Sequence, residues 1–204
     1  MTLFRKKEFY SPRDIALFCS VEPSVVEGWL DAKRLSFVVL PGFHRRVPHA
    51  VLEKFMVSQG FEKPACWLGE FSKFRVLVVE DDQDLLEIMG DFLVDELRLE
   101  VKRETNGFSA GLQIASWQPD LILLDFVMPE VSGFEIMKKL KENPETCDIP
   151  VLAVTSLKGE DQRQAVLNAG VSDFIGKPFY SEEFLKKIRT LLGIVLAEPA
   201  KGSS

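Results

Sequence analysis

From Phe74 onward, short apolar runs alternate with amphipathic stretches, strand-like then helix-like, as far as Leu192. Val76, Leu77, Val78 and Val79 form an unbroken apolar run, the pattern of a strand buried on both faces. Leu85, Ile88, Met89, Phe92 and Leu93 recur at helical spacing and predict an apolar stripe. The alternation continues with a strand over 99–104, a helix over 108–117, a strand over 121–124 and a helix over 133–141. A strand over 150–154, a helix over 162–169, a strand over 173–176 and a helix over 182–192 complete it. Parallel strands need crossover connections, so this order predicts an α/β fold with a doubly wound, five-stranded parallel sheet.

An open parallel sheet binds ligands at the carboxyl ends of its strands. Here those ends carry Glu80, Asp81 and Asp82, then Asp125, then Thr155 and Ser156, then Lys177 and Pro178. Crowded carboxylates repel, and a bound cation or a raised pKa resolves the conflict. Oxygen ligands of this kind suit Mg²⁺, which keeps several waters and completes its shell with phosphate oxygens. Lys177 would pair with an anion and Thr155 would donate to it. Taken singly, Glu80-Asp81-Asp82 reads as a helix N-cap, Thr155 as a loop cap and Lys177-Pro178 as a solvated turn. Together they describe a phosphoryl-acceptor site in which Asp125 attacks in line.

These residues resemble the receiver domain of bacterial two-component response regulators, a flavodoxin-like fold. The resemblance runs over 74–196. It rests on Val76 to Asp82, on Leu121 to Pro129 with Asp125, on Val151 to Ser156, and on Ala169-Gly170 through Lys177-Pro178-Phe179. It implies that Asp125 is the phosphoacceptor and that Glu80, Asp81, Asp125 and the carbonyl of Val127 hold Mg²⁺. Thr155 and Lys177 are then the phosphoryl contacts, and Phe174 takes the aromatic switch position. Its other reading is a permanently buried strand aromatic. A sensor histidine kinase or a phosphotransfer protein is the implied donor, in a signalling protein rather than an enzyme. Val127 and Leu157 are apolar where many receivers carry polar residues, and offer no hydrogen bond to an attacking water.

Ahead of this region, 1–60 reads as helix, turn, helix, hairpin and helix. Ser11 and Pro12 suit a helix start, with Ile15, Ala16 and Cys19 on one face. Ser24 is expected to cap a second helix holding Val25, Val26, Trp29 and Leu30, and 35–39 with 44–47 to form a hairpin about Pro41-Gly42. A last helix opens at Pro48 and stops near Gly60. The segment 61–73 reads as a linker that packs, because Phe61, Trp67 and Phe71 are too apolar for a solvated tether. Residues 197–204 read as a frayed tail. Phe9 through Arg46 to Phe55 is similar to the small winged helix-turn-helix of excisionase and MerR-like regulators. That resemblance implies a DNA-binding surface of Lys33, Arg34, His44, Arg45 and Arg46, with Trp29 in the core. Glu22, Glu27 and Asp31 on and before the second helix oppose phosphates, and leave a protein partner open as the alternative.

Charge divides the chain in the same place. Residues 1–73 carry 11 Lys+Arg against 8 Asp+Glu, and the remainder carries 14 against 23. A mildly basic front and an acidic back suggest modules with different partners. The apolar runs fall far short of the ~18 residues that cross a bilayer, so no membrane partner is expected. The start, Met1 to Lys7, lacks an apolar signal core. Cys19, Cys66 and Cys147 have no CxxC spacing and read as reduced structural thiols, consistent with a cytoplasmic protein. The leading expectation is a phosphorylation-controlled regulator whose front module binds DNA, with an adaptor binding protein as the alternative. Homodimerisation is compatible with both. A hydrolase using Asp125 is disfavoured because Val127 stands where a second aspartate is needed.

Overall fold

The computed structural model describes residues 6–64, 67 and 73–194. The front module comprises β1 (Phe9–Tyr10), α1 (Pro12–Cys19), α2 (Pro23–Asp31), β2 (Val38–Leu40), β3 (His44–Pro48) and α3 (His49–Gln59). The three strands form an antiparallel sheet in the order β1-β3-β2. Ser11 caps α1 as expected: its side chain accepts from the Asp14 N–H and the Asp14 carboxylate accepts from the Ser11 N–H, a capping box. Ser24 does not cap α2. Pro23 already occupies the first turn and Glu22 is the N-cap, because the fixed φ of proline suits the first helical position. Leu35 is not strand but core, its N–H bonded to the Trp29 carbonyl, so β2 starts at Val38. The two-residue β1 is too short to leave a periodic signal.

The core of this module joins Tyr10, Ile15, Val26, Leu30, Leu52 and Met56. Trp29 packs on Phe55 and Phe61 with centroids 5.1 and 6.0 Å apart, the core role expected of it. Trp67 is buried against Tyr10, Phe18 and His49, so this part of the linker packs. Phe71, Cys66 and the tail 197–204 lie outside the described residues. Cys19 and Cys147 are free thiols.

The second module alternates β4 (Arg75–Val79), α4 (Gln83–Leu97), β5 (Glu100–Glu104), α5 (Gly107–Trp117), β6 (Leu121–Asp125) and α6 (Gly133–Glu142). β7 (Val151–Thr155), α7 (Glu160–Asn168), β8 (Asp173–Gly176) and α8 (Ser181–Leu192) follow. All five strands are parallel, in the order β5-β4-β6-β7-β8. The continuous apolar runs are explained by two cores. Val76, Val78, Leu121, Leu123, Leu152 and Val154 face α4 and α8. Leu77, Val79, Ile122, Leu124 and Ala153 face α5, α6 and α7. Burying both faces removes any reason for polar alternation. The stripe on α4 is rotated from the expected one. Leu86, Met89, Gly90 and Leu93 are buried, whereas Ile88 is 66% exposed. Leu85 and Phe92 ride on the flank of this core. Among the described residues no helix is long and apolar enough to cross a membrane.

The front module rests on the end of the parallel sheet where the strands begin. Gly42 (φ +80°) lies so close to Ser172 that a Cβ there would meet its Cα and Oγ at 2.9 Å. A Cβ on Gly193, just past α8, would come within 3.2 Å of the Phe9 ring.

Candidate functional site

The pairing order sets β4, β6, β7 and β8 side by side, so their carboxyl ends form one rim. Helices α4 and α8 cover one face and α5 to α7 the other, which places the crossover reversal, and the crevice it opens, beside β4 and β6. Glu80 follows β4 directly and is 1% exposed; Asp125 ends β6 at 3% and Thr155 ends β7 at 3%. Asp82 turns away to cap α4, its Oδ1 accepting from the Leu85 N–H at 3.1 Å. That leaves Asp81 exposed at the mouth.

Lys177 reaches in from the end of β8 and bridges the two buried acids. Its Nζ donates to Glu80 Oε2 at 2.6 Å and to Asp125 Oδ2 at 2.7 Å. The second oxygen of Asp125 accepts from the Val127 N–H at 2.8 Å, and Glu80 Oε1 accepts from the Asp82 N–H at 3.4 Å. Burial raises the Glu80 pKa, with the Lys177 ammonium opposing that shift. For Lys177, burial alone would lower the pKa. The hydrogen bonds to Asp125 and Glu80 outweigh it and hold the ammonium charged. Carboxylate oxygens of Glu80, Asp81 and Asp125 lie within 4.8 Å of one another, a spacing and a hard-oxygen donor set that fit a divalent cation.

Gly133 lets α6 approach the loop that follows β6. A Cβ there would stand 2.6 Å from the Asp125 carbonyl oxygen and 2.7 Å from the Phe126 Cα. Thr155 Oγ1 accepts from the Leu157 N–H at 3.2 Å. Beside it a cavity of about 250 Å³ is lined by Thr155, Leu157, Arg163, Val166, Phe174 and Gly176. Phe174 is half-buried at its edge, with the Arg163 guanidinium 4.7 Å and the Lys187 ammonium 5.9 Å from its ring centroid. Space thus exists on the Thr155 side of the ring.

The five residues expected on a single DNA-facing surface are divided by the fold. Lys33 and Arg34 are exposed, Arg34 donating to Gln59 at 3.1 Å. Arg45 is neutralised within the module by Asp31 at 2.7 Å and Glu27 at 3.0 Å. His44 is buried, its Nε2 2.9 Å from Ser172 Oγ, and burial pushes its pKa down to about 3. Arg46 donates to the Asp148 carbonyl at 2.6 Å. His44 and Arg46 therefore join the seam between the modules. Sequence reasoning missed the other groups there, Lys7, Arg13, Asp120, Glu145, Asp148 and Ser172. The one signal that pointed to them is the opposite charge of the two halves.

Residues 76–189 match the family model described as response regulator receiver domain. The chain is 32% identical over 118 residues to the DNA-binding dual master transcriptional regulator RpaA of Synechocystis, a match covering 58% of this chain and 48% of RpaA. The chain thus spans about half the length of that relative. It is 37% identical over 120 residues to the polar-differentiation response regulator DivK of Brucella anthropi, covering 58% of this chain and 95% of DivK. Among solved structures, the non-phosphorylated HemR receiver domain of Leptospira biflexa superposes with a TM-score of 0.55 at 27% identity, covering 62% of this chain and 100% of that one.

Proposed function

Because the chain belongs to the response regulator receiver family, we propose that Asp125 accepts a phosphoryl group and that this controls the output of the front module. The observation that carries the reading is Lys177 bridging Asp125 and Glu80 at 2.7 and 2.6 Å in a buried crevice. The donor is a phosphohistidine of a sensor kinase or phosphotransfer protein. Its P–N bond breaks as a P–O bond to Asp125 forms, and the departing imidazole takes up a proton. Glu80, Asp81, Asp125 and the Val127 carbonyl would hold Mg²⁺, which supplies charge neutralisation for the equatorial phosphoryl oxygens. Lys177 stays on the acceptor oxygen side and offsets the same charge. The Thr155 hydroxyl donates a hydrogen bond to the new phosphoryl group, and Phe174 turns toward the cavity beside Thr155.

The front module is read as a winged helix-turn-helix that binds DNA, which makes the chain a cytoplasmic transcription regulator. Exposed Lys33 and Arg34 support that output. A second reading, an adaptor whose front module binds protein, is supported by Glu27 and Asp31 neutralising Arg45 on the helix that would enter the groove. Incubation with a small phosphodonor and Mg²⁺ should add one phosphoryl group, seen by intact mass. Asp125→Asn should take up none, and uptake at the wild-type level by that variant overturns the assignment. A DNA titration across salt, with and without phosphorylation, separates the two outputs. A salt-dependent affinity supports DNA and its absence at low salt supports protein.

A further inference from the structure

Arg163 borders the site without taking part in the acceptor chemistry. It sits on α7 three residues before Val166, so both side chains lie on one face of the helix, and both line the cavity beside Thr155. Its guanidinium carbon stands 4.7 Å from the Phe174 ring centroid, within the range of a cation–π contact. Its ion pair with Glu160 is stretched to 4.0 Å, and the two side chains are 53% and 82% exposed, so that pair holds it weakly. Lys187, the other cation near the ring at 5.9 Å, is fixed on Asp173, donating to its two oxygens at 2.9 and 2.8 Å. Asp173 also accepts from the Phe174 N–H at 2.8 Å. The Phe174 backbone and Lys187 are therefore anchored, and the ring and Arg163 are the parts free to move. The cavity of about 250 Å³ has room for the ring, since a cavity of about 150 Å³ takes up benzene. Helix α7 itself is lightly held: Val166 is its one buried residue, against four on α6 and five on α8.

We propose that Arg163 is a positioning residue for the acceptor site: stacked on Phe174, it holds the ring out of the cavity in the unphosphorylated protein, and the inward turn of the ring releases Arg163 and loosens α7. This rests on the phosphoacceptor reading of Asp125 given above. A group that favours the outward ring opposes phosphorylation by the free energy of its contact, because the phosphorylated state is the one with the ring inside. A partly exposed cation–π contact is worth a factor of about two to five in such an equilibrium. Electrostatics alone predicts the opposite sign. A guanidinium beside the cavity attracts a phosphoryl anion, so removing it would weaken binding. The direction of the effect thus separates a latch on the ring from a direct phosphoryl contact.

The test uses the full chain with Mg²⁺ and beryllofluoride, a mimic of the phosphoryl group on an aspartate, titrated by calorimetry. Arg163→Gln should bind about threefold more tightly than wild type. Amide exchange across 160–168 should quicken in that variant before any ligand is added. Arg163→Lys keeps the charge but loses the planar stack, and should fall between the two. Phe174→Leu keeps the apolar bulk without a ring face, and in that background Arg163→Gln should change nothing. Thermal melting of each variant checks that it remains folded. Weaker or unchanged binding by Arg163→Gln, or an equal gain in the Phe174→Leu background, overturns the latch while Asp125 stands as the acceptor. If wild type binds no beryllofluoride in the presence of Mg²⁺, the acceptor reading itself fails and this inference falls with it.

Discussion

Acidification should loosen this protein through His44. The imidazole is 7% exposed, sits 2.9 Å from Ser172 Oγ, and faces the cations Arg46 and Lys141. Burial first, then those two charges, hold its pKa at about 3 against an ordinary 6.5. The folded, docked state therefore keeps His44 neutral, whereas the exposed imidazole takes up a proton below pH ~6.5. The stability linked to His44 is complete above pH ~6.5 and is lost progressively as the pH falls toward 3. At pH 5 the exposed state gains about 1.5 pH units of protonation free energy, roughly 2 kcal/mol at ~1.36 kcal/mol per unit. His44→Gln keeps an amide able to bond Ser172 but does not titrate. Denaturant unfolding at pH 7.5 and pH 5, run on both proteins, isolates the effect because carboxylate titrations are common to both. Wild type should lose about 2 kcal/mol more than the variant. Equal losses would refute the reasoning, since they would mean that His44 is as solvated in the native chain as in the unfolded one.

Gly133→Ala should cost about 1–3 kcal/mol of stability, because a Cβ 2.6 Å from the Asp125 carbonyl forces backbone to move. A matched loss of phosphoryl uptake in the intact-mass assay would follow from the displaced acceptor loop. Val127 is 47% exposed beside Asp125 and Leu157 is half-buried beyond Thr155. Replacing Val127 by Asn and Leu157 by Gln should speed dephosphorylation of the purified aspartyl phosphate several-fold, since both offer a hydrogen bond to an approaching water. An unchanged or longer phosphate lifetime counts against that role.

The parts of this molecule legible in the sequence are those governed by local pattern. Val76 to Val79 and Leu121 to Leu124 announce buried strands because nothing polar interrupts them, and the structure shows both faces covered. Glu80, Asp125, Thr155 and Lys177 were readable as one site because parallel topology places every strand end on the same rim. The phase of α4 was less legible. Ile88 fits the apolar stripe by spacing but stands 66% exposed, since Leu86, Met89 and Leu93 are the side chains that the sheet admits. The Lys177 bridge was not legible as a bridge. Sequence placed the lysine near the acids, and only the fold shows one ammonium serving both carboxylates.

The front half makes the division clearer. Sequence alone determined its helices and hairpin, since caps such as Ser11, stops such as Gly60 and the Pro41-Gly42 turn act within a few residues. It also determined that one half is basic and the other acidic. Only the tertiary structure decided that His44 and Arg46, neighbours of Arg45 on one strand, face the receiver while Arg45 faces Glu27 and Asp31. Successive residues on a strand point to opposite sides, and which side is covered depends on where a distant surface docks. The contact between His44 and Ser172 joins residues 128 positions apart, beyond the reach of any periodicity, and it exists only because the tertiary packing brings the turn before β8 against β3.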